Sequence, residues 1–319
     1  MKYKFITAIT GILFSFQLSA QQEANYSQYF FDPLTVNPAY AGSRGTFSGT
    51  LTYRNQWLGG ITGSPVTQAL DAHMPIGDKI GVGLQVSNDA AGPLHVTSAS
   101  AIFTYSIHIT SETKLAFGLA GSFNNVAINF SQINVDMPND PAFPTGNMSS
   151  LVPDANFGMY LYKENFYVGL SANHLIQTKW KLQNAPITAV PTAMFYRQYY
   201  ITAGYVAKLS DNFALRPSAL IQYVQAAPAL EELDASIIYK ERLFVGLGIR
   251  NSFRSGISGS DNILVPSIEY DLGNKFRIGY SYDIFLSNAG SYSTGTHEIM
   301  LGWDLSPASK TRMVNPRYF

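Results

Sequence analysis

The stretch FRIGYSYDIFL, residues 276–286, separates into two faces when it is read two residues at a time. Phe276, Ile278, Tyr280, Tyr282, Ile284 and Leu286 fall on one side; Arg277, Gly279, Ser281, Asp283 and Phe285 fall on the other. A period of two is that of a β-strand, whose successive side chains point to opposite faces. The same pattern recurs at 80–87, 115–123, 243–250 and 297–305. One face in each is Leu, Ile, Val or aromatic. The other is mostly Gly, Ala, Ser and Thr, with isolated Arg, Asp or Glu. A soluble sandwich would turn its second face to water and load it with Lys and Glu. Small residues with scattered charges are instead the composition of a barrel lumen, with the apolar faces meeting lipid and Tyr and Trp near strand ends forming interfacial girdles.

Composition agrees. Only 13% of the 319 residues are charged, about half the roughly 25% usual for soluble domains. Aromatics reach 13%, with 20 Tyr and 20 Phe. The 21 basic and 21 acidic side chains cancel, which speaks against a nucleic-acid partner. No cysteine is present, so disulfides, thiolate catalysis, thiolate metal sites and cysteine lipidation are excluded. The opening MKYKFITAITGILFSFQLSAQQ reads as a secretory signal peptide over 1–20. Lys2 and Lys4 precede an apolar run from Phe5 to Phe16, and Leu18-Ser19-Ala20 supplies small residues for cleavage. The run is shorter than the roughly 20 residues a spanning helix needs.

The alternation predicts fourteen strands, at 46–58, 66–75, 79–88, 94–110, 113–123, 155–162, 165–174, 195–209, 212–224, 232–240, 242–250, 262–272, 275–286 and 295–305. Joins after even strands are tight: PIGD, TSET, KEN, SDN, KE and GN. Joins after odd strands are longer, including 124–154 and 175–194. Short turns on one side and long loops on the other mark an all-β transmembrane antiparallel barrel, with the short turns periplasmic. Strands in lipid cannot leave edge groups unpaired, so the sheet must close. An even count then puts both termini in the periplasm. The expected organisation is a leader over 1–20, a periplasmic or lumen-lying segment over 21–45, an outer-membrane barrel over 46–305 and a periplasmic tail over 306–319.

Against this frame YSQYFFDPLTVNPAYAGSRG (26–45) becomes legible. With YRNQW (53–57), GVGLQVSNDAAG (81–92), NFGMYLYKENFYVGLSANHLI (156–176), FRIGYSYDIFL and THEIMLGW (296–303), it resembles the PorP/SprF family. These are outer-membrane proteins tied to type IX secretion in Bacteroidota. The resemblance implies a non-enzymatic role. Such proteins support export or surface attachment of a cognate secreted client, such as a large adhesin bearing a C-terminal sorting domain, alongside other type IX components, and some serve gliding motility. Thr296 stands where the family has serine, and 124–154 and 251–261 match no family motif.

Candidate chemistry is sparse. Histidines 73, 95, 108, 174 and 297 lack metal spacing, GVG at 81 and GLG at 246 lack the rest of a phosphate loop, and GISGS at 256–260 does not satisfy GxSxG. Asp136, Asp140 and Asp154 border a Pro-rich loop and read as solvated loop carboxylates, with calcium the sharper reading. No cofactor is expected. The prolines at 33 and 38 keep the lead-in segment from adding a strand, and its aromatics suit a barrel plug or a docking surface. Asn37, Pro38, Tyr40, Arg54, Gln56 and Trp57 are the leading candidates for partner contact, since Arg and Trp are common binding anchors. Arg216, Arg250, Arg277, Asp283, Glu298 and Asp304, with Arg54, alternate to the lumen face. Either they pair to brace the wall, or they hold a partner segment or filter solute. A general porin is the alternative function, and outer-membrane lipid is a partner in either case.

Overall fold

A computed structural model describes residues 25–60, 62–133, 146–180, 193–225, 227–253, 262–273, 275–286 and 293–305. Fourteen antiparallel strands form its wall. In chain order they are β1 (Phe47–Asn55), β2 (Val66–Ile76), β3 (Ile80–Ala91), β4 (Leu94–His108), β5 (Lys114–Asn129), β6 (Asn147–Lys163) and β7 (Phe166–Asn173), followed by β8 (Gln198–Tyr205), β9 (Phe213–Val224), β10 (Ala229–Tyr239), β11 (Leu243–Phe253), β12 (Ile263–Leu272), β13 (Phe276–Phe285) and β14 (Thr296–Leu305). Ala207–Lys208 continues β8 along β9. Each strand pairs with its sequence neighbour, and β1 pairs with β14 from Phe47↔Leu305 to Asn55↔His297, which closes the cylinder. Closure removes the unpaired edges that lipid would penalise. No helix among the described residues is long and apolar enough to cross a membrane; the crossing is made by strands.

The two faces read from 276–286 separate as the alternation predicts. Phe276 and Ile278 are 59% and 44% exposed on the outside, whereas Arg277, Ser281 and Asp283 are 6%, 0% and 1% exposed within. Exposed tyrosines collect near both rims: Tyr205, Tyr239 and Tyr270 toward the short turns, Tyr53, Tyr199 and Tyr223 toward the long loops. That is where an amphipathic ring fits a bilayer interface.

The wall is taller on one side than the sequence suggests. β3 and β4 are joined by Gly92-Pro93 alone, so the longer join expected at 88–93 is a tight turn. β5 runs on to Asn129 and β6 begins at Asn147, pairing Asn129↔Asn147 where a single loop was expected over 124–154. At about 3.3 Å per residue and a tilt near 40°, strands of this length rise about 40 Å, some 15 Å above an apolar band of about 25 Å. In water an outward side chain need not be apolar. The extensions accordingly carry Asn125, Ala127 and Ser149 outward and lose the alternation that marked the rest. Within 175–194, Lys179–Trp180 pairs with Ala193–Met194. The leader, the tail, Asp136, Asp140 and GISGS lie outside the described residues.

Candidate functional site

Residues 26–46 run through the lumen before β1 begins, and almost all are buried. Two 3-10 turns shape them, Pro33–Thr35 and Pro38–Tyr40. Each begins with a side-chain cap and a proline, whose missing N–H costs nothing at a first helical position. Asp32 accepts from Leu34 N at 3.2 Å, and Asn37 accepts from Ala39 N at 2.9 Å. The segment is a plug built of turns, capped by its own side chains and hydrogen-bonded to the wall.

Ionic clusters hold the plug at both ends. At the long-loop end, Arg54 donates to Asp283 at 2.8 Å and to Glu298 at 2.9 Å. Arg250 donates to Glu232 at 2.6 Å and to Asp283 at 3.0 Å. Ser27 enters this cluster. Its hydroxyl donates to Asp283 at 2.6 Å and accepts from Arg54 and Arg250 at 2.8 and 2.9 Å. The backbone N–H groups of Ser27 and Gln28 both donate to the Glu298 carboxylate, at 3.0 and 2.8 Å. At the short-turn end Arg44 meets Asp304 at 3.0 Å, Ser48 donates to the same carboxylate, and Arg277 lies 3.5 Å from Asp304 and 3.7 Å from Glu269. Arg277 also donates to Phe31 O at 3.3 Å. A buried charge without a partner is costly, and these clusters supply the partners.

Aromatic contacts fill the space between. The Arg216 guanidinium lies over Phe30, Phe31 and Phe244 at 5.0, 4.6 and 5.0 Å, cation–π distances. Tyr29 donates to Asp234 at 2.9 Å. Tyr40 packs edge-on against Tyr160 and His73, and His73 Nδ1 accepts from Gly42 N at 3.1 Å. Asn37 reaches the wall, donating to Met159 O at 2.9 Å and to Leu170 O at 3.4 Å. Glycines leave room for this approach. A Cβ at Gly118 would lie 2.5 Å from Ala39 Cα, and one at Gly158 or Gly279 would overlap Asn37 or Gln28. Above the plug a polar recess of about 90 Å³ remains, with Tyr26 and Thr35 on its floor and Thr67, Ser98, Asn124, Asn173 and His174 in its wall.

The residues singled out from sequence thus divide. Arg54, Arg250, Arg277, Asp283, Glu298 and Asp304 meet at the plug's two ends, and Arg216 sits at its aromatic centre. Asn37, Pro38 and Tyr40 are buried against the chain's own wall, so a partner reaching them would first have to withdraw the plug. Gln56 and Trp57 follow β1 at the long-loop rim, where Gln56 N donates to Pro65 O and Trp57 N donates to Thr296 Oγ1; Arg54 is separated from them inside the lumen. Asp154 bonds His174 at 2.6 Å, and no trio of His, Asp or Glu suited to a metal occurs among the described residues. Glu232 and Asp234 escaped notice, although both lie on the inward phase of ALEELDASIIY (229–239). Nothing local marks Ser27 or Arg44, whose carboxylate partners lie more than 200 residues away.

The family description "Type IX secretion system membrane protein PorP/SprF" matches residues 18–303. The chain belongs to the PorP/SprF family. No curated protein matches it. Among solved structures it is similar to the CymD monoaromatic hydrocarbon channel, with 11% identity, a TM-score of 0.54, and 86% of this chain and 93% of that one covered. A Pseudomonas aeruginosa FadL homologue follows at 11% identity and a TM-score of 0.48, over 85% and 93% of the two chains. At such identity the first likeness speaks to the barrel fold alone. This PorP/SprF protein is therefore an outer-membrane β-barrel of type IX secretion. Its family implies association with other secretion components and secreted cargo, and its family and fold are those of a secretion or channel-type barrel rather than of an enzyme class.

Proposed function

We propose that this barrel supports export or surface attachment of one cognate secreted protein bearing a type IX C-terminal sorting domain, such as a large adhesin, with gliding motility a downstream use. The leader would be cleaved after Ala20, and the short turns and the tail over 306–319 would face the periplasm. The supporting observation is the plugged lumen. A solute channel needs a continuous polar path, whereas here two ionic clusters and a layer of aromatics hold the chain's own residues across the bore. A wall that spends its inward charges on a plug is suited to a scaffold that meets protein at its mouths.

Deleting the gene and quantifying the surface and secreted proteomes tests this. The expected result is loss of one protein with a C-terminal sorting domain from the surface. Loss of many such proteins would place the barrel in the core machinery. An unchanged proteome would overturn the secretion role and leave the porin reading in its place.

A further inference from the structure

We infer that the plug is entered from outside the cell: the mature amino terminus opens at the long-loop mouth, not at the periplasmic one. This replaces the expectation that both termini lie with the short turns, and it rests on leader cleavage after Ala20.

The direction comes from the order in which the segment meets the wall. Ser27 and Gln28 bind Glu298, and Ser27 also binds Asp283. Glu298 stands opposite Arg54, one step from the last pair of the β1–β14 ladder, and Asp283 stands opposite Thr296 where β13 and β14 leave for the loop between them. Both positions are at the long-loop end. The chain then passes toward the short turns, rising once to Thr35 beneath the recess. Phe31 meets Arg277, the second residue of β13, and Arg44 meets Asp304, next to the first pair of the β1–β14 ladder. The plug therefore runs from the long-loop mouth to the short-turn mouth, where β1 begins. Tyr26 precedes the upper anchor and forms part of the floor of the polar recess on that side.

Chain length closes the alternative. Cleavage after Ala20 leaves Gln21 to Ala24 before Asn25. Four residues span about 14 Å at most, against an apolar band of about 25 Å, and the direct route down the bore is filled by the plug itself. Short turns face the periplasm in barrels of this kind, so the end of the plug and the recess beside Tyr26 face outward. A surface-located protein meets the free end of the plug directly, and a periplasmic one does not.

The chain has no cysteine, so single-thiol labelling tests this cleanly. Glu23→Cys is compared with Thr62→Cys in the loop after β1 and Ser111→Cys in the short turn between β4 and β5, using a membrane-impermeant maleimide on intact and then permeabilised cells. Glu23→Cys is expected to label in intact cells to the level of Thr62→Cys, while Ser111→Cys labels only after permeabilisation. Behaviour like Ser111→Cys would overturn the inference. Should the thiol of the Glu23→Cys protein be shielded from the bulky impermeant reagent in both conditions, a small uncharged membrane-permeant bis-maleimide decides. Cross-linking in Glu23→Cys/Thr62→Cys upholds the outward path, and cross-linking in Glu23→Cys/Ser111→Cys refutes it. Intact mass of the purified protein gives the first residue independently, so an error about the leader is distinguishable from an error about direction.

Discussion

Asp283→Ala is expected to release the plug from its upper anchor. One Asp283 carboxylate oxygen takes the Ser27 hydroxyl and the other takes both Arg54 and Arg250. Removing it leaves two guanidinium groups, each 3% exposed or less, competing for Glu298 and Glu232. Breaking a buried ion pair from one side costs about 3–5 kcal/mol while the site stays dry. These pairs lie within the wall, but withdrawing the plug admits water that relieves the cost, so the plug-out state should rise by up to about a hundredfold. Arg44 lies within the plug, and trypsin cleavage after it reads that opening. Cleavage should be slow in the wild type, fast in Asp283→Ala, and intermediate in Asp283→Asn, which keeps the shape and some of the hydrogen bonding. Equal cleavage in all three would mean that the cluster does not hold the plug.

The second large effect comes from a wall residue with no charge. Gly118→Val puts a branched side chain where Ala39 and Pro38 already pass, with the new Cβ 2.5 Å from Ala39 Cα. Overpacking typically costs about 1–3 kcal/mol, and here the obstacle is backbone, which cannot turn aside as a side chain can. Gly118→Val is expected at or above that upper figure, with the barrel still closed but the plug unseated and cut at Arg44. Gly121→Val, three residues along the same strand, is the control. Its side chain points outward with nothing within 4 Å, and a surface change of that kind stays within about 0.5 kcal/mol. A Gly118→Val protein that resists trypsin as the wild type does would remove the close approach from the account.

The barrel was legible because lipid imposes one rule on every spanning strand. An outward side chain at 276, 278 or 280 must be apolar and an inward one need not be, so the faces separate on inspection. The rule stops at the membrane surface, and so did the reading. Asn124–Asn129 and Asn147–Val152 pair across the β5–β6 ladder, but water makes no demand on their outward positions and no alternation survives to mark them. The plug was half legible. Pro33 and Pro38 exclude a strand from sequence alone, and the inward arginines and carboxylates announce that they need partners. Which partners they take depends on pairs such as Ser27–Asp283 and Arg44–Asp304, separated by most of the chain and joined only when β14 closes on β1. Asn37 and Tyr40 looked like contact residues for the same reason that they are buried: an aromatic, capped, proline-bounded turn suits a wall as well as a partner.

The most direct test of the plugged-barrel account is the conductance of the purified wild-type protein in a planar bilayer. A bore closed by residues 26–46 predicts no steady open state, with sustained current appearing once Asp283→Ala loosens the upper anchor. A steady porin-like conductance in the wild type would contradict it, because the plug would then not close the path and the barrel would be a solute channel.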